Sequence, residues 1–240
     1  DMVGKVGKGM PEWFTYAKAR ASFAQVGNDM DAYQLYNTYS IGSDPNGNTT
    51  AGQGKTKYDA DVRSELITSW EAGAELKFFN NRLGVDFAWY KTNAKRQLMN
   101  IPLNNLSGYD NMKVNAGNIQ NTGIEIMLNA RPIETAQFSW DTQLNFSQNK
   151  SKIIELLPGK PGMQYALGGS DALQVYAVAG GAYGEIWGTK YQRVEEGEFK
   201  GQLLLNESGL PQATSDKHKI GEQQPDFLLG WTNTFNYKNF

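Results

Sequence analysis

Hydrophobic and polar positions alternate with a period of two over residues 66–78 and again over 83–91. In the first run Trp70, Ala72, Ala74, Leu76 and Phe78 share one face, and Glu71, Gly73, Glu75 and Lys77 share the other. In the second, Leu83, Val85, Phe87 and Trp89 oppose Gly84, Asp86, Ala88 and Tyr90. Successive side chains of a strand point to opposite sides of the sheet, so this spacing predicts two strands. Asn80-Asn81-Arg82 between them supplies residues that tolerate the positive φ of a tight hairpin.

Each arm is about ten residues long, enough at a tilt near 45° to cross an apolar band of roughly 25 Å. One face is apolar with aromatics at its ends, and the other is charged. A soluble sandwich also alternates, but its strands usually run to about five or six residues. The arm length, aromatic rim and short turn favour a transmembrane barrel, with a soluble carbohydrate-binding β-sandwich as the alternative. In the barrel reading Trp70, Ala72, Ala74, Leu76, Phe78, Val85, Phe87, Ile126, Leu144 and Leu229 face lipid. Glu71, Glu75, Lys77, Asp86, Glu125 and Asp141 then face the lumen.

The same pattern recurs at residues 13–26, 118–130, 138–148 and 226–237, giving six long strands in all. Asn233 interrupts the apolar face of the last one. Residues 80–82 and 132–137 form short connections. Residues 27–63, 97–117 and 151–224 form long ones, read as loops with a short strand in the first and a strand-like piece at 185–194. Short turns at one end and long loops at the other match outer-membrane barrels, whose long loops lie outside the cell. Six strands are fewer than the eight of the smallest barrels, so the chain is expected to be part of a larger one.

Composition narrows the chemistry. Net charge is −2, so no polyanion such as a nucleic acid and no anionic membrane surface is implied. There is no Cys, so thiolate chemistry and disulfides are unavailable to these 240 residues. Mean hydropathy is −0.56, compatible with a barrel because lumen and loop residues dilute its apolar face. His218 is the one histidine, in Lys217-His218-Lys219, which leaves little for a metal site or a hydrolytic triad. Asp44-Pro45-Asn46-Gly47-Asn48 lacks the distal acid of a calcium loop and reads as a turn. No catalytic residue, cofactor or metal is therefore expected, and a surface hydrolase is the weakest reading. Tyr33, Tyr36, Tyr39, Tyr109, Tyr165 and Tyr176 fall in the long connections and are the candidates for contact with a sugar or a partner protein.

Several stretches resemble the barrel of SusC/RagA-type TonB-dependent transporters. They are Ala19-Arg20-Ala21-Ser22-Phe23-Ala24-Gln25-Val26-Gly27-Asn28, Thr68-Ser69-Trp70-Glu71-Ala72-Gly73, Phe78-Phe79-Asn80-Asn81-Arg82-Leu83, Asn115-Ala116-Gly117-Asn118-Ile119-Gln120-Asn121-Thr122-Gly123-Ile124-Glu125, Phe138-Ser139-Trp140-Asp141 with Asn145-Phe146-Ser147, and Gln224-Pro225-Asp226-Phe227 with Asn233-Thr234-Phe235-Asn236-Tyr237-Lys238-Asn239-Phe240. The resemblance keeps family order over nearly the whole chain. It implies an all-β fold: an antiparallel segment of a transmembrane barrel of about 22 strands with long extracellular loops. Residues 1–240 would be a partial barrel domain, lacking the plug and the C-terminal strands. It further implies the cell outer membrane, import of oligosaccharides or oligopeptides energised by TonB through an absent N-terminal region, and a SusD-like surface lipoprotein as lid. The remaining partners would be outer-membrane lipid and the rest of the barrel.

Overall fold

The computed structural model describes residues 2–4, 11–30, 33, 35–59 and 61–238. In chain order its strands begin with β1 (Met2–Gly4), β2 (Phe14–Asn28), β3 (Tyr39–Ser43), β4 (Thr49–Gln53) and β5 (Thr56–Tyr58). Then come β6 (Glu65–Phe78), β7 (Leu83–Pro102), β8 (Asn111–Glu134) and β9 (Phe138–Glu155). The last are β10 (Gln164–Gly169), β11 (Leu173–Val178), β12 (Tyr183–Gly188), β13 (His218–Glu222) and β14 (Leu228–Tyr237).

The six expected long strands are β2, β6, β7, β8, β9 and β14. All five junctions between them are antiparallel. Among the described residues the sheet runs β1-β2-β6-β7-β8-β9-β14 and does not close on itself. At the β6–β7 turn Phe79, Asn80 and Asn81 all take positive φ, of 53°, 53° and 67°. The two asparagines tolerate this conformation, and Asn80 N–H is further held by Thr15 Oγ1 at 3.0 Å.

The long connections depart from the sequence expectation. Residues 97–116, expected as loop, are mostly strand. The β7–β8 ladder continues to Pro102 opposite Asn111, leaving a short loop with a 3-10 turn at Asn105–Ser107. Met99 and Ile101 share a face with Met112, Val114 and Ala116, but Pro102, the Ser107-Gly108 turn and the positive φ of Arg96 and Gly117 make the region read as loop. Gly117 (φ 81°), between two paired residues, tolerates the positive φ that the ladder takes there. Asn115 ties the region together: its Nδ2 donates to Arg63 O at 2.7 Å and to Arg96 O at 2.9 Å. β5 pairs in parallel with β8 at residues 111–113, the part of β8 that lies beyond its pairing with β9. Residues 39–53 form a hairpin, β3–β4. Its turn is the Asp44–Asn48 stretch, where Asp44 Oδ1 accepts from Asn46 N and Asn48 N at 2.8 Å each.

Residues 151–224, expected as one long excursion, are folded. β9 extends to Glu155, and β10-β11-β12-β13 form a separate four-stranded sheet. Glycine-rich turns and short strands conceal this sheet from a periodicity reading. Its contact with the top of β9 makes the chain's small core: Ile153, Leu156 and Ala177 are buried, with Met99, Met163 and Tyr165 packed on them. The strand-like piece at 185–194 divides between β12 and a bridged segment, in which Tyr191 pairs with Ala213 and Arg193 with Leu203. Met2–Gly4, unassigned from sequence, adds to β2.

Candidate functional site

Residues directly opposite one another in an antiparallel ladder share a face. The registers therefore define two surfaces. Ala74 stands opposite Phe87, Phe87 opposite Ile126, and Ile126 opposite Phe146, which in turn faces Leu229. Val85 lines up with Leu76 and Leu128, and Leu128 with Leu144. Trp70, Ala72 and Phe78 lie on this same surface by strand parity. It is apolar and exposed: Trp231 is 70% accessible, and Leu229 and Phe235 are 60% each.

Aromatic clusters mark its two ends. At the turn end Trp13 stacks on Phe78 at 5.8 Å, and Trp140 on Phe235 at 5.8 Å. At the other end Phe23 meets Trp70 at 4.5 Å, while Phe146, in the row of Ala74, Phe87 and Ile126, meets Phe227 at 5.9 Å. Asn233, the break in the pattern, has a partner: Trp140 Nε1 donates to its Oδ1 at 3.0 Å. Trp231 Nε1 likewise donates to Thr142 Oγ1 at 2.8 Å, so the polar groups on this face are paired with each other.

The opposite surface gathers Glu71, Glu75, Lys77, Asp86, Glu125 and Asp141. Arg20 of β2 donates to Asp86 of β7 through both terminal nitrogens, at 2.9 and 2.7 Å, although β6 lies between them. Gly73 of β6 makes the crossing possible. A Cβ there would lie 2.7 Å from Arg20 Nε and 2.7 Å from Phe87 O. Tyr90 repeats the device one strand over, passing across Gly123 of β8 so that its hydroxyl donates to Asn149 of β9 at 3.3 Å. Lys77 pairs with Glu75 at 3.1 Å, and Arg131 Nε with Asp141 at 2.6 Å. Arg20, Glu71, Asp86 and Glu125 line a shallow cavity of about 300 Å³.

In the second sheet, Glu185 of β12 is buried. Its carboxylate accepts from Lys219 Nζ at 2.9 Å, Trp187 Nε1 at 3.1 Å and Ala182 N at 3.3 Å. Burial pushes its titration upward, but these hydrogen bonds together outweigh burial and leave it below the ordinary carboxylate value. Lys219 is held above the usual lysine value by its hydrogen bonds to Glu222 and then Glu185. Beyond β12, three segments close a ring of backbone bonds. Gln192 N donates to Gln212 O, Gln212 N to Leu204 O, and Leu204 N to Gln192 O, all within 2.8–2.9 Å. Beside the ring lies an open cavity of about 1270 Å³, with Lys190, Tyr191, Arg193, Lys200 and His218 among its lining.

The candidate tyrosines are not brought together. Tyr33, Tyr36 and Tyr39 are exposed, with Tyr33 and Tyr36 rings 6.3 Å apart. Tyr109 is half-buried in the β7–β8 loop. Tyr165 and Tyr176 sit in β10 and β11 rather than in loops. Tyr165 packs on the small core, and Tyr176 meets Trp187 edge-on at 6.2 Å. Sequence reasoning did not single out Arg20, Tyr90, Asn149, Glu185 or Lys219 as site residues. The readable hint was a glycine at a position where the charged face continues, as at Gly73 between Glu71 and Glu75.

An open, two-faced antiparallel sheet with long strands, paired aromatic rims and a charged inner surface is a segment of a transmembrane β-barrel. The family model for the TonB-dependent receptor-like β-barrel matches residues 11–215, and the chain belongs to that family, with SusC/RagA-type members among its relatives. These receptors are outer-membrane proteins. TonB-dependent receptor P3 of Formosa agariphila is 28% identical over 93% of this chain and 24% of its own length. TonB-dependent receptor SusC of Bacteroides thetaiotaomicron is 29% identical over 90% of this chain and 22% of its own length. Among solved structures the RagAB peptide transporter superposes with a TM-score of 0.74 at 18% identity, over 96% of this chain and 26% of that one. The chain thus spans about a quarter of these proteins. Family membership and the uncovered apolar face together replace the soluble-sandwich alternative.

Proposed function

We propose that these residues form part of the wall and mouth of an outer-membrane importer for oligosaccharides or oligopeptides, driven by TonB and lidded by a SusD-like surface lipoprotein. The observation that carries this reading is the separation of faces. Apolar side chains occupy one surface of six paired strands between two aromatic rims, and carboxylates with their cationic partners occupy the other. The apolar surface meets lipid, and Glu71, Glu75, Lys77, Asp86, Glu125 and Asp141 meet the lumen. The exposed Tyr33, Tyr36 and Tyr39 and the folded mouth take cargo or lid contacts, whereas Tyr165 and Tyr176 hold the mouth together. No bond is made or broken in such a passage, so the wall needs shape and charge rather than a nucleophile.

Uptake of fluorescent oligosaccharide and oligopeptide pools by cells carrying the full-length protein tests this. Accumulation of one pool that collapses when a protonophore dissipates the proton gradient is the expected result. Accumulation of either pool that ignores the protonophore contradicts energised import.

A further inference from the structure

Charge is divided between the two faces of the long strands in a way that import does not require. Over residues 14–28, 65–78, 83–95, 118–130, 138–152 and 228–237 the ladder registers place Lys18, Arg20, Glu65, Glu71, Glu75, Lys77, Asp86, Glu125 and Asp141 on the inner face. The charged residues left for the outer face are Lys91, Lys95, Lys150 and Lys152. All four are cationic, and all lie at the long-loop end.

Their position along the strands is defined by the register: Trp70 stands opposite Lys91, Lys91 opposite Thr122, and Thr122 opposite Lys150, so the first lysine row is in register with Trp70 of the upper aromatic pair. The next row carries Thr68, Asn93, Gln120 and Lys152. Here Gln120 Nε2 donates to Asn93 Oδ1 at 3.2 Å, and Asn93 Nδ2 donates to Asn118 Oδ1 at 3.1 Å. The outer face therefore turns from hydrocarbon-compatible to fully polar within one row of Trp70. Lys95 follows, and Glu155, opposite Asn118, caps the stripe at its outermost end. Lys91 and Lys150 sit two strands apart, about 10 Å, and Lys91 and Lys95 about 13 Å apart along β7. Lys95, Lys150 and Lys152 are exposed, and among the described residues none of the four makes an ion pair.

We infer that Lys91, Lys95, Lys150 and Lys152 form a binding site for the phosphates of anionic lipid headgroups in the outer leaflet. The inference rests on the barrel reading, which turns this face toward lipid. Unpaired ammonium groups at headgroup height, with an apolar band directly below for acyl chains, complement a ligand that is anionic at one end and hydrocarbon at the other. A soluble anion would use the first feature and leave the second unused.

The test uses the full-length protein in nanodiscs of phosphatidylcholine with and without phosphatidylglycerol, with co-purified lipid read by native mass spectrometry. Wild type should retain phosphatidylglycerol in preference to phosphatidylcholine. At about fivefold per lysine near an anionic surface, changing all four to Gln should cut that preference by at least about tenfold. Changing all four to Arg should preserve it, as should Lys160, Lys200 and Lys217 to Gln in the loops. An unchanged preference in the fourfold Gln variant overturns the inference. So does inorganic phosphate that strips the retained lipid from wild type, since the site would then serve free anions. Wild type that enters nanodiscs but shows no lipid preference sinks this inference alone. Wild type that fails to enter them sinks the barrel reading beneath it.

Discussion

At Gly73 and Gly123 the absent side chain is the functional feature. Each lets a long polar side chain from one strand cross its neighbour and bond to the strand beyond. Gly123→Val should therefore be costly, because a Cβ would fall 2.4 Å from the Tyr90 ring and 2.6 Å from Gln148 O. Overpacking of this kind costs about 1–3 kcal/mol. Gly230→Ala, whose new Cβ would meet only Asn145 Cβ at 3.9 Å, should be near neutral. The temperature at which the folded barrel band disappears on heated gels distinguishes the two.

Glu185 makes a second prediction at the same scale. Its titration is depressed in the folded state, so its contribution is complete above the ordinary carboxylate range and lost as pH falls through the lowered value. Lys219 is raised, so its contribution is complete below the ordinary lysine range and lost as pH climbs through the raised value. Protection of the β12 and β13 amides, relative to their intrinsic exchange, should stay high across neutral pH and fall at both extremes. Glu185→Gln should remove the acid limb. None of these partnerships was legible in sequence: Arg20 and Asp86 lie 66 residues apart, and only a register brings them together.

At the scale of elements, the six long strands were legible because lipid on one side and water on the other enforce a period of two. The same reasoning failed where that constraint ends. Residues 97–102 and 111–116 carry an apolar face of Met99, Ile101, Met112, Val114 and Ala116, but the positive φ of Arg96 and Gly117 and the turn formers between the two runs mask it, and β10–β13 are short, glycine-rich and packed on a few residues around Ile153. The asymmetry gives a direct prediction. Ala74→Arg places a charge midway between the aromatic rims and should destabilise by about 2–4 kcal/mol. Glu75→Arg, one residue on and facing inward, should lose its pairing with Lys77 and cost under about 1 kcal/mol. Unfolding of the inserted protein in urea measures both. Equal costs at the two positions would show that the faces are not in different solvents.

At the scale of the molecule, an open sheet in hydrocarbon leaves backbone donors and acceptors unpaired where no water can reach them. The outer edge of β14 pairs with no other strand among the described residues. Family order and the alternation of short and long connections made that architecture readable. The substrate was not readable, because the exposed tyrosines and the cavity beside Lys190 and Lys200 depend on how the loops fold. Exchanging residues 33–48, 101–111 and 165–183 for those of a relative should change the cargo imported while leaving membrane insertion intact.

In the proposed barrel one face of these strands meets lipid and the other meets water. The 240 residues contain no cysteine, so single cysteines can be placed one at a time at positions 70–78 of the full-length protein in membranes. A membrane-impermeant thiol reagent should label positions 71, 75 and 77 and spare 72, 74 and 76. Uniform labelling through 72, 74 and 76, or none at 71, 75 and 77, would contradict that division of faces.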